Sequence, residues 1–420
     1  MFVFANSINF TRNNHRLFAI TKLCIIVLFI FTLCCFMSSQ NNSCQALCRV
    51  QKNVNLEQSV GEEIEENIDK QLSDIDLSEL DGYINNLSDK EKVVLGNNSF
   101  FVVVKKFINA EDGDIYGNFL PYAVNIIFDN LLSYIPYFAI IIIFAICFSL
   151  IGQFSGADSS LSKLIHMIFF SAISVIVLKI VLSLLSQTSQ SINNMQGQIE
   201  CVFPILLTLI TAIGSSVTAA TFQPMLAIFS SGISKLFNSI LVPIFVFSIV
   251  FGVIGNLSKN IKLDKFSKFF SSLYNWIIGI VFTIFIAFLT IHGLTTSSID
   301  NISFRTAKYA IKSYVPILGG YLSDGINVIV ASSVLVKNAI GVSGLVVMLL
   351  TIFAPVINII VVILLLKFSS AILEPICDKE MSSFLFSISK ALNMLIVAIV
   401  AVGFMYIISA SLLMSCSNLI

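Results

Sequence analysis

Polar and charged side chains within long apolar segments are the residues of this sequence that could do chemistry. They could line a path through a membrane, since a charged group inside a bilayer is costly unless it is paired or in contact with water. Asp324 and Asn327 share one helical face in the segment GGYLSDGIN, which indicates either a polar lining or a helix end near the headgroups. The candidates for a pathway or for helix packing are Lys179, Lys235, Asp324, Asn327, Lys337 and Asn358.

Catalytic and cofactor-binding motifs do not occur in this sequence. It has no P-loop for ATP, no G-x-S-x-G and no H-E-x-x-H. The three histidines, His15, His166 and His292, are too dispersed for a metal cluster. We therefore expect no catalytic residue, no cofactor and no metal, and we predict that the protein is not an enzyme.

The composition indicates an integral membrane protein. Of the 420 residues, 56% are hydrophobic and 11% are charged, whereas a soluble domain is about 25% charged. The mean hydropathy is +0.92. The net charge of zero conceals an acidic region, because residues 38–130 contain seven Lys/Arg and sixteen Asp/Glu. The chain has no strongly basic patch, which argues against a nucleic-acid partner.

The N-terminal third predicts a targeting segment followed by a soluble region. Basic residues precede an apolar run, Leu23–Met37, that is short for a membrane span and typical of a signal-peptide core. We predict a signal peptide or an uncleaved signal anchor over residues 1–39. Residues 40–130 are then an acidic extracytoplasmic helical region.

One short helix in the acidic region has an apolar stripe. Asp76 and Glu79 have the spacing of a capping box, and Ser88 and Glu91 repeat it. The stripe either packs on neighbouring helices of the same region or docks on a partner or on the membrane surface. Its residues lie at i, i+3, i+4 and i+7 and are Leu80, Tyr83, Ile84 and Leu87.

The fold class predicted for the remainder is all-α, a polytopic transmembrane bundle of about eight to ten spans. A first pair of spans falls within residues 131–200. A shift of 112 residues superposes Pro204 on Pro316 and Pro243 on Pro355, with eleven identities in the forty-nine residues from 203 to 251. We therefore predict a tandem repeat, as in many transport proteins. Its two units are residues 201–312 and 313–420. Pro204, Pro224 and Pro243 divide residues 201–256 into three predicted spans and Pro355 begins another, so each proline is expected near a helix start.

The distribution of lysines predicts the orientation. Loop 258–268 contains four lysines and one aspartate, so it should be cytoplasmic. Two spans return the chain to the outside near residue 200, and three crossings before residue 257 then bring it inside. The two repeat units are parallel in this scheme, and residues 305–312 lie outside.

The order of these features resembles the stage III sporulation protein AE family. The resemblance rests on QLSDIDLSELDGYINNL, SFFVVVKKFINAEDGDIYGNFLPYAVN, FPILLTLITAIGSS and VPILGGYLSDGIN, in that order along the chain. It implies a multi-pass component of the channel or secretion complex between mother cell and forespore, in the mother-cell membrane around the forespore. The implied partners are membrane lipid, other stage III sporulation A operon proteins including a separate ATPase, and stage II sporulation protein Q on the forespore side.

Three functions remain open from the sequence. The resemblance implies an export gate or channel core that is required for endospore formation. The alternatives are a stand-alone permease, for a small solute or ion-coupled, and a membrane scaffold that conducts nothing. The acidic N-terminal region favours the complex, because a permease needs no such region.

Overall fold

A computed structural model describes residues 58–85, 87–109, 113–154, 160–257, 263–314, 319–376 and 379–415. The chain divides into two units, residues 1–66 and residues 67–420. In the first unit only the helical residues 58–66 are described, so the signal segment predicted for residues 1–39 lies outside the described part. The second unit contains the long helices and the site discussed below.

The described residues form helices and no strand. Four short helices come first, and seven longer ones follow. The short helices are α1 (Gln58–Asp74), α2 (Ser78–Asn85), α3 (Asp89–Val94) and α4 (Phe100–Ile108). The longer helices are α5 (Gly113–Phe154), α6 (Ser160–Ala212), α7 (Ser216–Leu236), α8 (Val242–Leu257), α9 (Asp264–Tyr314), α10 (Gly319–Leu373) and α11 (Lys379–Ser415).

Six helical stretches of the described chain are long and apolar enough to cross a membrane. They lie in α5, in α6, in the continuous helix formed by α7 and α8, and in α9, α10 and α11. The all-α polytopic class is thereby confirmed. The stretches are fewer than the eight to ten spans expected, because several apolar segments that the sequence analysis separated are parts of one helix.

Prolines account for this difference in number. Pro204, Pro224 and Pro355 lie inside α6, α7 and α10 rather than at helix starts. A proline inside a helix removes one backbone hydrogen bond. Membrane helices tolerate this loss, because neighbouring groups can satisfy the freed carbonyl. The expectation that each proline begins a helix is therefore wrong for these three residues.

Pro243 lies next to a π-helical turn, Phe237–Leu241, which joins α7 to α8. The amide of Val242 donates to the Phe237 carbonyl, five residues earlier. This wider turn lets the chain pass the proline, which has no N–H, without ending the helix. The combined helix from Ser216 to Leu257 is about 63 Å long at 1.5 Å per residue.

Two helix pairs, α8 with α9 and α10 with α11, are each joined by a reciprocal pair of serine hydrogen bonds. Near the α8–α9 turn the Ser248 hydroxyl donates to the Ser267 carbonyl (3.1 Å) and the Ser267 hydroxyl to the Ser248 carbonyl (2.9 Å). Near the α10–α11 turn Ser370 and Ser382 make the same reciprocal pair at 2.9 and 3.0 Å. The two pairs lie in different predicted repeat units, residues 201–312 and 313–420, but the 112-residue shift does not superpose their serines.

Lysines gather at the end of the bundle where these two turns lie. Lys390 of α11 is within electrostatic range of Lys268 and Lys367, and Lys265 and Lys379 begin the helices after the turns. Cytoplasmic ends of membrane helices carry an excess of lysine and arginine. Three crossings, by α5, α6 and α7–α8, connect the acidic region to this end. The sequence scheme needed five crossings up to residue 257, so its count is wrong, because α7 and α8 form one helix and residue 200 lies inside α6. Three is also an odd number, so the orientation predicted for loop 258–268 is unchanged.

We predict that thiol labelling will place Ser73 and Thr306 outside and Lys379 inside. Each is replaced singly by cysteine in a variant without reactive native cysteines, expressed in vegetative cells. All three positions are exposed, so only the membrane should limit access. An impermeant maleimide should label S73C and T306C in intact cells and should label K379C only after lysis. Labelling of K379C in intact cells would contradict the crossing scheme.

Candidate functional site

A buried polar seam, made of Gln187, Gln198, Thr351 and Asn358, joins α6 to α10. The Gln198 amide donates to the Thr351 hydroxyl (2.9 Å), which donates in turn to the Val347 carbonyl (3.0 Å). The Asn358 amide donates to Gln187 Oε1. Gln198 and Asn358 are only 3% and 9% exposed. Since polar side chains without water must find protein partners, the seam fixes the register between the two helices.

A polar cavity of about 250 Å³ lies along the seam. Ser191, Asn194 and Gln198 line it from α6, and Thr351 and Asn358 line it from α10. Pro355 lies between the last two, and because it has no N–H it leaves the Thr351 carbonyl without its helical donor. The remaining lining residues are Tyr83, Leu87, Glu91, Ile126, Asn130, Gln187, Gln190 and Ala354.

The apolar stripe of α2 packs within the chain, beside this cavity. Leu80 and Ile84 of α2 are buried, and Tyr83 is half-buried. Leu87, predicted as the fourth residue of the stripe, is also buried but lies two residues beyond the end of α2. Of the two alternatives left open by the sequence, packing is the one that the structure contains, since these side chains offer no exposed apolar face to a partner. The reciprocal capping box of Ser88 and Glu91 is confirmed.

The start of α2 differs from the capping box that the sequence predicts. Asp76 accepts from the amide of Ser78, two residues on (2.9 Å). The hydrogen bond expected from the backbone amide of Glu79 to the Asp76 side chain is therefore replaced by a tighter local turn. The carboxylate of Glu79 instead accepts from the thiol of Cys201 on α6 (3.2 Å). This contact adds to the attachment of α2 to α6.

The close approach of α2 to α6 depends on Gly197. A Cβ atom at this position would lie 2.1 Å from the Tyr83 hydroxyl and 2.9 Å from its Cζ. Burial, followed by the neighbouring Cys201 thiol, raises the pKa of Tyr83 to about 12, so the phenol stays neutral. The acidic region is thus attached to the membrane helices by a tyrosine ring lying on a glycine.

Lys337 is fully buried in α10, and its ammonium donates to the Met414 carbonyl (2.7 Å). Met414 lies in the last turn of α11, which ends at Ser415. The carbonyls of a last helical turn lack intrahelical donors and carry partial negative charge. Lys337 therefore caps the carboxyl end of α11. This contact supports the packing role that the sequence left open for Lys337.

The other candidates lie apart from the seam. Asn327 accepts from the Lys308 ammonium of α9 (2.6 Å), and Lys235 is exposed at the end of α7. Asp324 lies in α10, but its side chain is outside the described part. Of the six pathway candidates, the structure brings only Asn358 into the cavity.

Lys179 belongs to a polar stripe on the open side of α6. Ser171, Lys179, Ser183 and Ser186, which we call the α6 stripe, are all exposed and lie on one helical face. Val175 and Leu182 on the same face are 66% and 57% exposed, so the described helices leave this face uncovered. A lysine on such a face is costly in lipid.

Several site residues were not identified from the sequence. Gln187, Gln198 and Thr351 belong to the seam, and their helical spacing on polar faces was the available signal. Asp300 of α9 accepts from the amides of Val217 (3.0 Å) and Thr218 (2.9 Å) and so caps the start of α7. No local pattern marks Asp300, because its partners lie about 80 residues earlier in the chain.

The fold and the seam define a polytopic α-helical membrane protein with an outer helical region. The family model for stage III sporulation protein AE matches residues 99–417. This chain therefore belongs to the stage III sporulation protein AE family. The family predicted from the order of sequence features is confirmed.

A relative supports the assignment. The chain is 23% identical over 262 residues to the stage III sporulation protein AE of Bacillus subtilis (strain 168). The match covers 62% of this chain and 66% of that protein. No solved structure matches.

We predict that Gly197→Ala destabilises the protein by about 1–3 kcal/mol, because the added methyl group overpacks the contact with Tyr83. Gly232→Ala is the matched control, since a Cβ there meets nothing within 4 Å. Both changes raise helix propensity equally, so the difference in thermal unfolding of the purified protein isolates the clash. Tyr83→Ala should relieve part of the cost in a double-mutant cycle. Equal stability of the two alanine variants would contradict the close contact.

We predict that Lys337→Met lowers the free energy of unfolding by about 1–3 kcal/mol, the usual cost of leaving a buried acceptor unsatisfied. Methionine keeps the length of the side chain but cannot donate to the Met414 carbonyl. Lys235→Met is the control, and because Lys235 is exposed its effect should stay within about 0.5 kcal/mol. If thermal unfolding finds the two variants equally stable, Lys337 contributes nothing as a cap.

Proposed function

We propose that this protein is the conducting membrane core of a complex that joins mother cell to forespore during endospore formation. It acts as an export gate or channel in the mother-cell membrane around the forespore. It has no catalytic step of its own and is driven by a separate ATPase. Membership of the stage III sporulation protein AE family supports the sporulation role, and the α6 stripe supports conduction.

The extent of the α6 stripe is the observation that carries the proposal. Ser171 and Ser186 are fifteen residues apart, or about 22 Å along the helix, against a hydrocarbon thickness of about 30 Å. The stripe is therefore long enough to extend through most of the hydrocarbon layer. Ser171 already donates to the Met167 carbonyl (2.7 Å) and Ser183 accepts from the Gln187 amide (3.4 Å). The exposed ammonium of Lys179 on the same face is best stabilised by water or by polar groups of another subunit.

The outer helices supply a surface for partners. With the apolar stripe buried, most of the exposed charged residues described between 64 and 109 are carboxylates, including Asp74, Asp76 and Asp89. The partners proposed here are the other stage III sporulation A operon proteins and the stage II sporulation protein Q side of the complex. The acidic surface favours contact through basic groups of those proteins.

The proposal predicts that the α6 stripe is in contact with water in sporulating cells. Ser171→Cys and Ser183→Cys should react with a small hydrophilic thiosulfonate, because only the thiolate reacts and it forms only in water. Ile284→Cys is the control, since Ile284 is 60% exposed within an apolar stretch of α9 and should stay unreactive in lipid. Modification of either serine position should lower late forespore gene expression several-fold at unchanged protein level.

Two outcomes would overturn the conducting role. If both serine positions are as unreactive as the Ile284 position, the stripe is not in contact with water, and a scaffold becomes the better reading. If the serine positions react but late forespore gene expression is unchanged, the stripe is in contact with water without being part of the pathway. Recovery of the operon partners with each variant shows that the complex is intact in either case.

A further inference from the structure

We propose that the cavity along the polar seam is a binding site for a small monovalent cation of the alkali-metal class. The inference is independent of whether the protein conducts, because it rests on the cavity between α6, α10 and the outer helices alone. A volume of about 250 Å³ is ample for such an ion with some of its water.

Unpartnered oxygens at the cavity are the first observation. The side-chain oxygens Gln198 Oε1 and Asn358 Oδ1 are buried and accept no hydrogen bond from the protein. The amide orientation of Gln198 is set by its bond to Thr351, since the Thr351 hydroxyl hydrogen is already directed at the Val347 carbonyl. Both residues are more than nine-tenths buried and line the cavity. A buried acceptor without a donor is costly, so we expect each oxygen to bind a ligand.

Pro355, which lies inside the continuous helix α10, is the second observation, and it is independent of the first. The proline leaves the carbonyl of Thr351, a lining residue, without its helical donor. In membrane transport proteins, backbone carbonyls without a helical donor are recurrent ligands of sodium. Amide, hydroxyl and carbonyl oxygens of this kind suit hard cations.

The charge of the lining selects the class of ligand. Glu91 is the one carboxylate among the described lining residues, and the same lining contains no lysine or arginine. Glu91 already accepts from the Ser88 amide (2.7 Å) and the Tyr122 hydroxyl (3.3 Å). An anion would face the Glu91 carboxylate with no lysine or arginine in the described lining to offset it, and a divalent cation would lack the carboxylates it usually binds. A monovalent cation matches a site of neutral oxygens beside one carboxylate.

Thermal unfolding of the full-length protein in detergent tests the site. The midpoint should be higher in sodium chloride or potassium chloride than in choline chloride of equal ionic strength, and the rise should saturate with concentration, as for a ligand that binds the folded state. Choline is too large for the oxygen cluster and controls for screening. The salt that gives the larger shift identifies the preferred ion.

Variants link the shift to the cavity. Asn358→Leu and Gln198→Leu should each weaken cation binding by at least about tenfold, since each removes a ligand to a charged group. Gln223→Leu, at an exposed amide on α7, should leave the shift unchanged. Asn358→Asp should strengthen sodium binding and give a new stabilisation by calcium. This variant gains affinity, so it tests the site even if the leucine variants fold poorly.

The outcomes against the proposal are equally definite. Equal midpoints in sodium, potassium and choline would mean that the oxygens are satisfied by water alone. A cation-dependent shift that survives both leucine variants, or that Asn358→Asp fails to alter, would place the ion elsewhere. Either result overturns the site while leaving the proposed role of the α6 stripe untouched.

Discussion

The absence of water from the hydrocarbon region is the constraint on which this structure depends. Backbone groups there must bond to one another, which leads to long uninterrupted helices. Side chains buried between helices are equally cut off from water, and Gln198, Asn358 and Lys337 each bond to another helix. The helices are consequently held at a few polar points, including the seam between α6 and α10 and the cap on α11. Apolar packing fills the space between these points without fixing the register.

The same constraint explains how much could be predicted from the sequence. Apolar composition and segment length were sufficient for the fold class, and local spacing was sufficient for the capping box at Ser88 and Glu91. The number of separate spans was overestimated, because prolines that would end a soluble helix lie inside α6, α7 and α10. In a membrane helix the cost of a proline can be met by neighbouring groups. The sequence alone does not reveal those neighbours.

The candidate site was only partly accessible to sequence reasoning, because its bonds join distant parts of the chain. Asn358 was identified as a polar residue in an apolar segment, but its partner Gln187 lies 171 residues away. Asp300 could not be identified from the sequence, because the amides that it accepts from, at the start of α7, are about 80 residues away. The apolar stripe was recognised from its spacing. The surface that covers it could not be predicted, because nothing near Tyr83 in the sequence identifies Gly197 as the residue that faces it.

The cap on α11 has a consequence for the synthesis of the protein. Lys337 and the Met414 carbonyl are separated by 77 residues. At about 5–20 residues per second, a ribosome adds the missing segment about 4–15 s after Lys337. During that interval α10 is complete, yet the end of α11 that accepts from its lysine does not exist. An α10 inserted before the last helix arrives would carry its lysine without this acceptor. A chain truncated before residue 414 would lack the acceptor permanently.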